Sequence, residues 1–448
     1  MAAAMTSARA VVCSIVHPQL YSRPVPEDAA IDRQPTPGSL RRHRPGGEMG
    51  PLAGASMPAV STSEPGGYRL TGDQEALRDA VRVLADERIA PRAAEIDRTA
   101  EFPWDIKELL ADHDVLGLPF PAEYGGVGVD LLTVCLAVEA ISRVCASSGL
   151  IVAVQELGAL PLLLAGTDEQ KQRWFPALAS GSQLIAFALT EAEAGSDAAA
   201  ARTRAVRDGE DYVIDGAKRF ISQGDVADLV AVFAVTDPDA ARHRNLSCFI
   251  VEKGTLGFTA PRVEHKMGIR GSTTAELAFD GVRVPVGNRV GAEGEGFGIA
   301  MRTLDRSRPG IAAQAVGIAQ GALEVAAKYA SERRQFGRPI GELQLVAGML
   351  ADMDAATEGA RQLLYKACTE IEAGAPDASR WSAMCKLVAG DAAMRVTTDA
   401  VQVLGGYGYI DEYPVERMMR DAKITQLYEG TQQIQRLVVA RSLLGGRV

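Results

Sequence analysis

The spacing of apolar residues changes twice along this chain, and that double change limits the possible folds more than any single motif. From Thr71 to about Ala179 the apolar residues recur at helical spacing, with Leu77, Val81, Val83 and Leu84 in one stretch and two longer runs at 131–144 and 150–164. Pro- and Gly-bearing segments, LPFPAEYGGVG and AGTDEQ, separate these helices. Around Leu184 the pattern gives way to short runs rich in Val, Ile and Phe, such as DYVIDGAKRFIS, LVAVFAV and LSCFIVE, punctuated by Gly, Asp and Pro. After GAEGEGFG the helical period returns from Ala300 to the end, broken at AGAPDA and LGGYGYI. The chain therefore reads as α+β: a leader at 1–66, a helical domain at 67–183, a β domain at 184–294 and a second helical domain at 295–448.

Residues 1–66 mix Pro, Gly, Ser and Arg without a sustained apolar period, the composition of a segment that cannot offset its ordering entropy. Disorder is expected there. Glu27, Asp28, Asp32 and Glu48 argue against a mitochondrial transit peptide, and Met49 or Met57 are alternative starts.

With 448 residues, 47% of them hydrophobic, the chain exceeds what one core usually supports. Its net charge of -10 argues against nucleic acid or an anionic membrane as partner, since both need a surplus of Lys and Arg. The six cysteines include no CxxC, and the five histidines show no metal-ligand spacing, so neither a disulfide framework nor a metal is expected. The apolar run at 148–165 is interrupted by Gln155 and Glu156, so no membrane span is read. These features fit a small-molecule enzyme of a reducing compartment. The excess of Arg over Lys favours a bacterial, hence cytoplasmic, protein, or one of the mitochondrial matrix if eukaryotic.

The segment FALTEAEAGSD follows an expected strand and supplies Thr190, Gly195 and Ser196, whose hydroxyls and free N–H groups suit a flavin ring and a phosphate. A Gly-Ser-Asp turn alone is more often just a turn. No GxGxxG follows a strand, so a Rossmann-type site is unsupported. A Glu before Gly near a helix start, such as Glu429, is by itself usually a solvated surface residue.

Five ordered motifs together resemble the acyl-CoA dehydrogenase family: LTEAEAGSD, GAKRFIS, ERRQFGRPI, QVLGGYGY and YEGTQQIQR. The resemblance spans residues 67–448, the chain beyond the leader. The resemblance implies an N-terminal helical domain, a middle β domain and a C-terminal four-helix bundle, assembled as a homotetramer around FAD. It implies that Thr190 and Ser222 hydrogen-bond the isoalloxazine, with Ile221 beside them and Phe220 packed where relatives often carry Trp. Ser196 would lie near the pyrophosphate and the pantetheine arm. Arg333, Gln335, Phe336 and Gln344 would reach the FAD of a neighbouring subunit, Gln335 standing where many relatives have Thr. Gln402, Gly405 and Gly406 would serve the same half of the cofactor, and Thr431 and Gln433 would bind it near the base. Asp305 and Arg308 would contact the pantetheine or nucleotide, with Tyr428, Glu429 and Gly430 at the acyl group.

The implied reaction is α,β-dehydrogenation of a short- or medium-chain, or branched, acyl-CoA in fatty acid metabolism, with electrons passed to an electron-transfer flavoprotein. Glu429 is the implied base. One branch of the family places its carboxylate instead at the position of Ser307, which cannot act as a base at neutral pH and is expected to matter little. The alternatives are the same chemistry on an acyl carrier protein thioester, and a catalytically silent flavin-binding protein. The absence of Arg in 150–160 disfavours a glutaryl substrate. A chain beginning at Tyr68 is expected to keep its flavin absorbance and its turnover; loss of either would refute the reading of a dispensable leader.

Overall fold

The computed structural model describes residues 69–446, so the leader and the disorder expected of it lie outside the described residues. The helices before the sheet are α1 (Gly72–Leu84), α2 (Ala93–Thr99), α3 (Trp104–Asp112), α4 (Leu131–Ser142), α5 (Ala146–Ala165) and α6 (Asp168–Ala179). Their starts follow from capping chemistry. Thr71 and Gln74 form a reciprocal capping box at α1, Thr167 and Gln170 another at α6, and the Asp130 carboxylate accepts from the Thr133 N–H at 2.8 Å to open α4.

The sheet holds β1 (Ile185–Ala188), β2 (Arg204–Asp208), β3 (Asp211–Ser222), β4 (Leu229–Val235), β5 (Leu246–Glu252), β6 (Phe258–Val263), β7 (Thr274–Pro285) and β8 (Arg289–Val290). The order is β6-β7-β3-β2-β4-β5-β8, with β1 joined in parallel to β4. Strands β4 and β5 are buried on both faces and read as continuous apolar runs, whereas β3 and β7 alternate. The β3–β7 register shifts between Lys218 and Ile221, and within that bulge Phe220 takes φ 58° and turns its ring outward, 61% exposed.

Beyond the sheet lie α7 (Gly296–Glu332), the short strands β9 (Arg334–Gln335) and β10 (Arg338–Pro339), α8 (Gln344–Glu372), α9 (Ala378–Leu404), α10 (Val415–Ala422) and α11 (Gln432–Leu443). Helix α7 is the hub, packed on α4 and α5 as well as on α8 and α9. Its approach to α4 requires glycine: a Cβ on Gly317 would lie 2.4 Å from the Glu139 carbonyl oxygen, and one on Gly321 2.0 Å from that of Arg143. One continuous apolar core consequently runs from the N-terminal helices through part of the sheet into the C-terminal bundle. Helices α5 and α7 are long and apolar enough to cross a bilayer by length and composition, but each is mostly buried inside this fold. The five described cysteines are buried and free.

A buried ion pair ties the loop after β1 to the sheet. Lys218 on β3, fully buried, donates to the Glu191 carboxylate at 2.7 Å and to the Leu189 carbonyl at 3.0 Å. Glu191 also accepts from the N–H groups of Arg202 at 2.7 Å and Thr203 at 3.0 Å. Burial pushes this carboxyl up, but Lys218 and the two N–H groups outweigh it and hold Glu191 below the ordinary range. Lys218→Met would leave Glu191 buried without its cation and should cost roughly 3–5 kcal/mol in denaturant unfolding. An unchanged midpoint would show that the pair does not fix this loop.

Candidate active site

The turn that carries Glu429 is held by its carbonyl groups. Glu429 adopts φ 53°, a left-handed conformation that disfavours a side chain, and Gly430 follows at φ 92°. The Glu429 carbonyl accepts from Arg308 Nε at 3.2 Å and Gln435 Nε2 at 3.0 Å. The Gly430 carbonyl accepts from Lys386 Nζ at 2.7 Å and again from Gln435 Nε2 at 2.9 Å. Thr431 then caps α11, its hydroxyl accepting from the Ile434 N–H at 3.4 Å. Tyr428 on the other side hydrogen-bonds Gln314 of α7. With both carbonyls tied down, the Glu429 N–H has no partner among the described residues.

The Glu429 carboxylate accepts from Ser307 Oγ at 2.6 Å. Ser307, which the sequence marks only as a residue that cannot be the base, supplies the one direct side-chain partner of this carboxylate among the described residues. Burial pushes Glu429 up to about 7, opposed first by the Ser307 hydrogen bond and then by Arg308 and Lys386. Lys386, fully buried on α9, is pushed down to about 8 by burial, with Glu429 pulling the other way. Arg308 is 4% exposed and donates Nη1 to Asp305 at 2.8 Å, while Asp305 also accepts from the Ser379 hydroxyl. Arg308 and Asp305 are thus engaged inside the chain, supporting the turn. A carboxylate that titrates near neutrality is matched to work as a base.

A second open face surrounds the β3 bulge. The Thr190 carbonyl accepts from the Arg219 N–H at 2.8 Å, which sets Thr190 beside Phe220. Ser222 follows at the strand end, and Gln223 bonds the Leu150 carbonyl of α5 at 3.3 Å. Ile221 buries its side chain, leaving only main chain to face outward. Ser196 is exposed on the loop. Among the described residues, the hydroxyls of Thr190, Ser196 and Ser222 have no hydrogen-bond partner within the chain. An exposed aromatic ring flanked by free donors fits the edge of a heteroaromatic cofactor.

A third region lies where α7 ends. Arg333 sits over the Tyr407 ring at 5.4 Å, and Arg333, Gln335, Gly405, Gly406 and Tyr407 share a cavity of about 410 Å³. Phe336 beside it is 90% exposed at φ 53°. Gln344, Gln402 and Gln433 are exposed on α8, α9 and α11. An exposed guanidinium beside two glycines is suited to a phosphate.

A partly buried carboxylate pushed toward neutrality, an aromatic face with free donors and a cavity suited to phosphate together fit a flavin-dependent oxidoreductase. Residues 71–182, 186–282 and 294–444 match the N-terminal, middle and C-terminal domains of acyl-CoA dehydrogenase. Over 377 residues the chain is 49% identical to the short-chain-specific acyl-CoA dehydrogenase of Clostridium acetobutylicum, covering 83% of this chain and 98% of that one. Butyryl-CoA dehydrogenase from Megasphaera elsdenii has a similar structure, with a TM-score of 0.81 at 43% identity over 84% of this chain and 99% of that one. A chain in a structure of the electron transferring flavoprotein of Acidaminococcus fermentans gives a TM-score of 0.82 at 46% identity over 84% and 99%. The protein belongs to the acyl-CoA dehydrogenase family and is an FAD-dependent oxidoreductase.

Three supporting groups escaped the sequence reading. Lys386 is a single cation on an apolar stretch of α9, and that wrong polarity on a buried face was its only signal. Gln435 sits inside the YEGTQQIQR motif without any mark of its role. Ser307 was considered only as a failed base. Its hydroxyl favours the ionised form of Glu429, so Ser307→Ala should move the acid limb of the kcat/KM profile upward from near pH 7 by about one unit. A limb that stays in place in that variant would show that Ser307 does not tune the base.

Proposed function

We propose that the chain oxidises a short- or medium-chain acyl-CoA to the trans-2-enoyl thioester, with Glu429 taking the proton from the α carbon. The observation that carries this reading is the Glu429 turn: its carbonyl oxygens are occupied, while its N–H and its near-neutral carboxylate remain available. The N–H would donate to the thioester carbonyl as charge develops there, a stabilisation that needs no reorganisation because the turn is already held. The carboxylate would accept the proton within the same site. Burial of Glu429 raises its proton affinity toward that of the weakly acidic α C–H. FAD, when bound, supplies the acceptor for the hydride that leaves the β carbon.

In this reading Thr190, Ile221 and Ser222 bind the flavin ring edge, Phe220 covers it, and Ser196 serves the pyrophosphate. Arg333, Gln335, Phe336, Gln344, Gln402, Gly405 and Gly406 hold the FAD of a neighbouring subunit, with Thr431 and Gln433 close to the base. The high exposure of Phe336 and Arg333 in the single chain supports an assembly that covers them, and we take it to be a homotetramer. CoA is the proposed carrier, an electron-transfer flavoprotein the proposed oxidant, and the cytoplasm the proposed compartment.

Glu429→Gln keeps the shape of the side chain and removes the proton acceptor. FAD and substrate should still bind, and stopped-flow flavin reduction by butyryl-CoA should fall by at least ~10²-fold, the low end of general-base contributions. Bleaching of the flavin at the wild-type rate in this variant would assign the base to another residue.

A further inference from the structure

Glu156 on α5 is 4% exposed, and its carboxyl has no hydrogen-bond partner among the described residues. Its neighbour Gln155 shows what a structural polar residue on this helix looks like. Gln155 donates to the Leu178 and Gln183 carbonyls at 2.9 and 3.0 Å and accepts from the Ile185 N–H at 3.1 Å, so every polar atom is used. Glu156 makes no comparable bond, yet its oxygens are not among the fully sealed unpartnered atoms. They border open space.

That space lies beside the stretch of α7 whose Ser307 holds the Glu429 carboxylate. A Cβ on Gly310 would find only Glu156 Oε2 at 3.7 Å and the Ala153 Cβ at 4.0 Å, so the glycine leaves a gap between α5 and α7. Gly310 is three residues past Ser307, which holds the Glu429 carboxylate; on a helix this is about one turn, ~4.5 Å. Glu429 also acts electrostatically on Glu156, raising its proton affinity. Arg306, the cation acting on Glu156, gives its Nη2 to Glu372 at 2.7 Å.

We infer that Glu156 forms the far wall of the acyl site and selects acyl thioesters whose tail carries a hydrogen-bonding oxygen, hydroxyl or carbonyl, over plain hydrocarbon tails of equal size. This rests on the reading of Glu429 as the base, which fixes where the acyl group enters. Burial pushes the Glu156 carboxyl up to about 8, with Glu429 and Glu372 adding to the effect and Arg306 opposing it, so near neutral pH it carries its proton and can both donate and accept. A hydrocarbon tail laid against it would strip its remaining solvent and return no hydrogen bond. An oxygen at that point would satisfy it. The discrimination is of the kind in which a site built to hydrogen-bond one group rejects the isostere that lacks it.

The test uses the FAD-loaded Glu429→Gln enzyme, in which binding is read without turnover, by titration calorimetry. Butanoyl-, pentanoyl- and hexanoyl-CoA are each compared with the analogue whose terminal methyl is replaced by hydroxyl. At one of these lengths the hydroxyl member should bind at least ~10-fold more tightly. Adding Glu156→Leu should reverse that preference, and Glu156→Gln should keep most of it; Glu156→Ala serves if the Leu variant loses FAD. The same ratio at every length with Glu156 and with Leu or Ala would overturn the proposal. Because the readout is binding, a failure of Glu429 as base would show in flavin reduction and leave these ratios interpretable.

Discussion

The site depends on the clamp that Arg308, Lys386 and Gln435 place on the two carbonyl groups of the Glu429–Gly430 turn. A glutamate at positive φ is strained and persists only where its surroundings over-determine it. Here each donor comes from a different helix, α7, α9 and α11, so the conformation of one residue is fixed by the packing of the whole C-terminal bundle. The two cations are buried themselves, and each answers its desolvation with the carbonyl dipoles, with Asp305 beside Arg308 and with the Glu429 carboxylate nearby. Removing the carboxylate therefore alters the electrostatics of its own support, and the base and its scaffold form one network.

The cofactor face is arranged by the same economy of backbone. A bulge turns Phe220 out of β3 while its neighbours Lys218 and Ile221 stay inward, one paired with Glu191 and the other in the core. The loop bearing Thr190 and Ser196 is tethered because Glu191 within it is bonded both to Lys218 on β3 and to the main chain of Arg202 and Thr203 just before β2. Gln223 and α5 then bring this face against the helices that line the base.

Architecture was legible in the sequence because it follows from periods: a helical repeat, an alternating one and a helical one again leave little freedom in element type. The positions of Glu429, Thr190 and Phe220 were legible because each lies in a recognisable motif of the sequence. The supports were not. Lys386 and Gln435 act on main-chain oxygens, which have no signature in side-chain identity, and the bonds of Arg308 to the Glu429 carbonyl and Asp305 are equally invisible in the residue order. Glu156 was noticed only as an interruption of an apolar run, since whether a carboxyl is satisfied depends on atoms far away in sequence.

Helix α7 carries Ser307 about a third of the way along and delivers Arg333 at its C-terminal end, a separation of roughly 40 Å along its axis. No single dinucleotide spans that length, so if both ends serve flavin they serve two different molecules. A chain built this way would not own a complete site. Each copy would lend one end of the rod to its neighbour and borrow the other in return, which would make flavin retention a property of association. Dilution below the assembly threshold would then strip cofactor from chains that are otherwise fully folded.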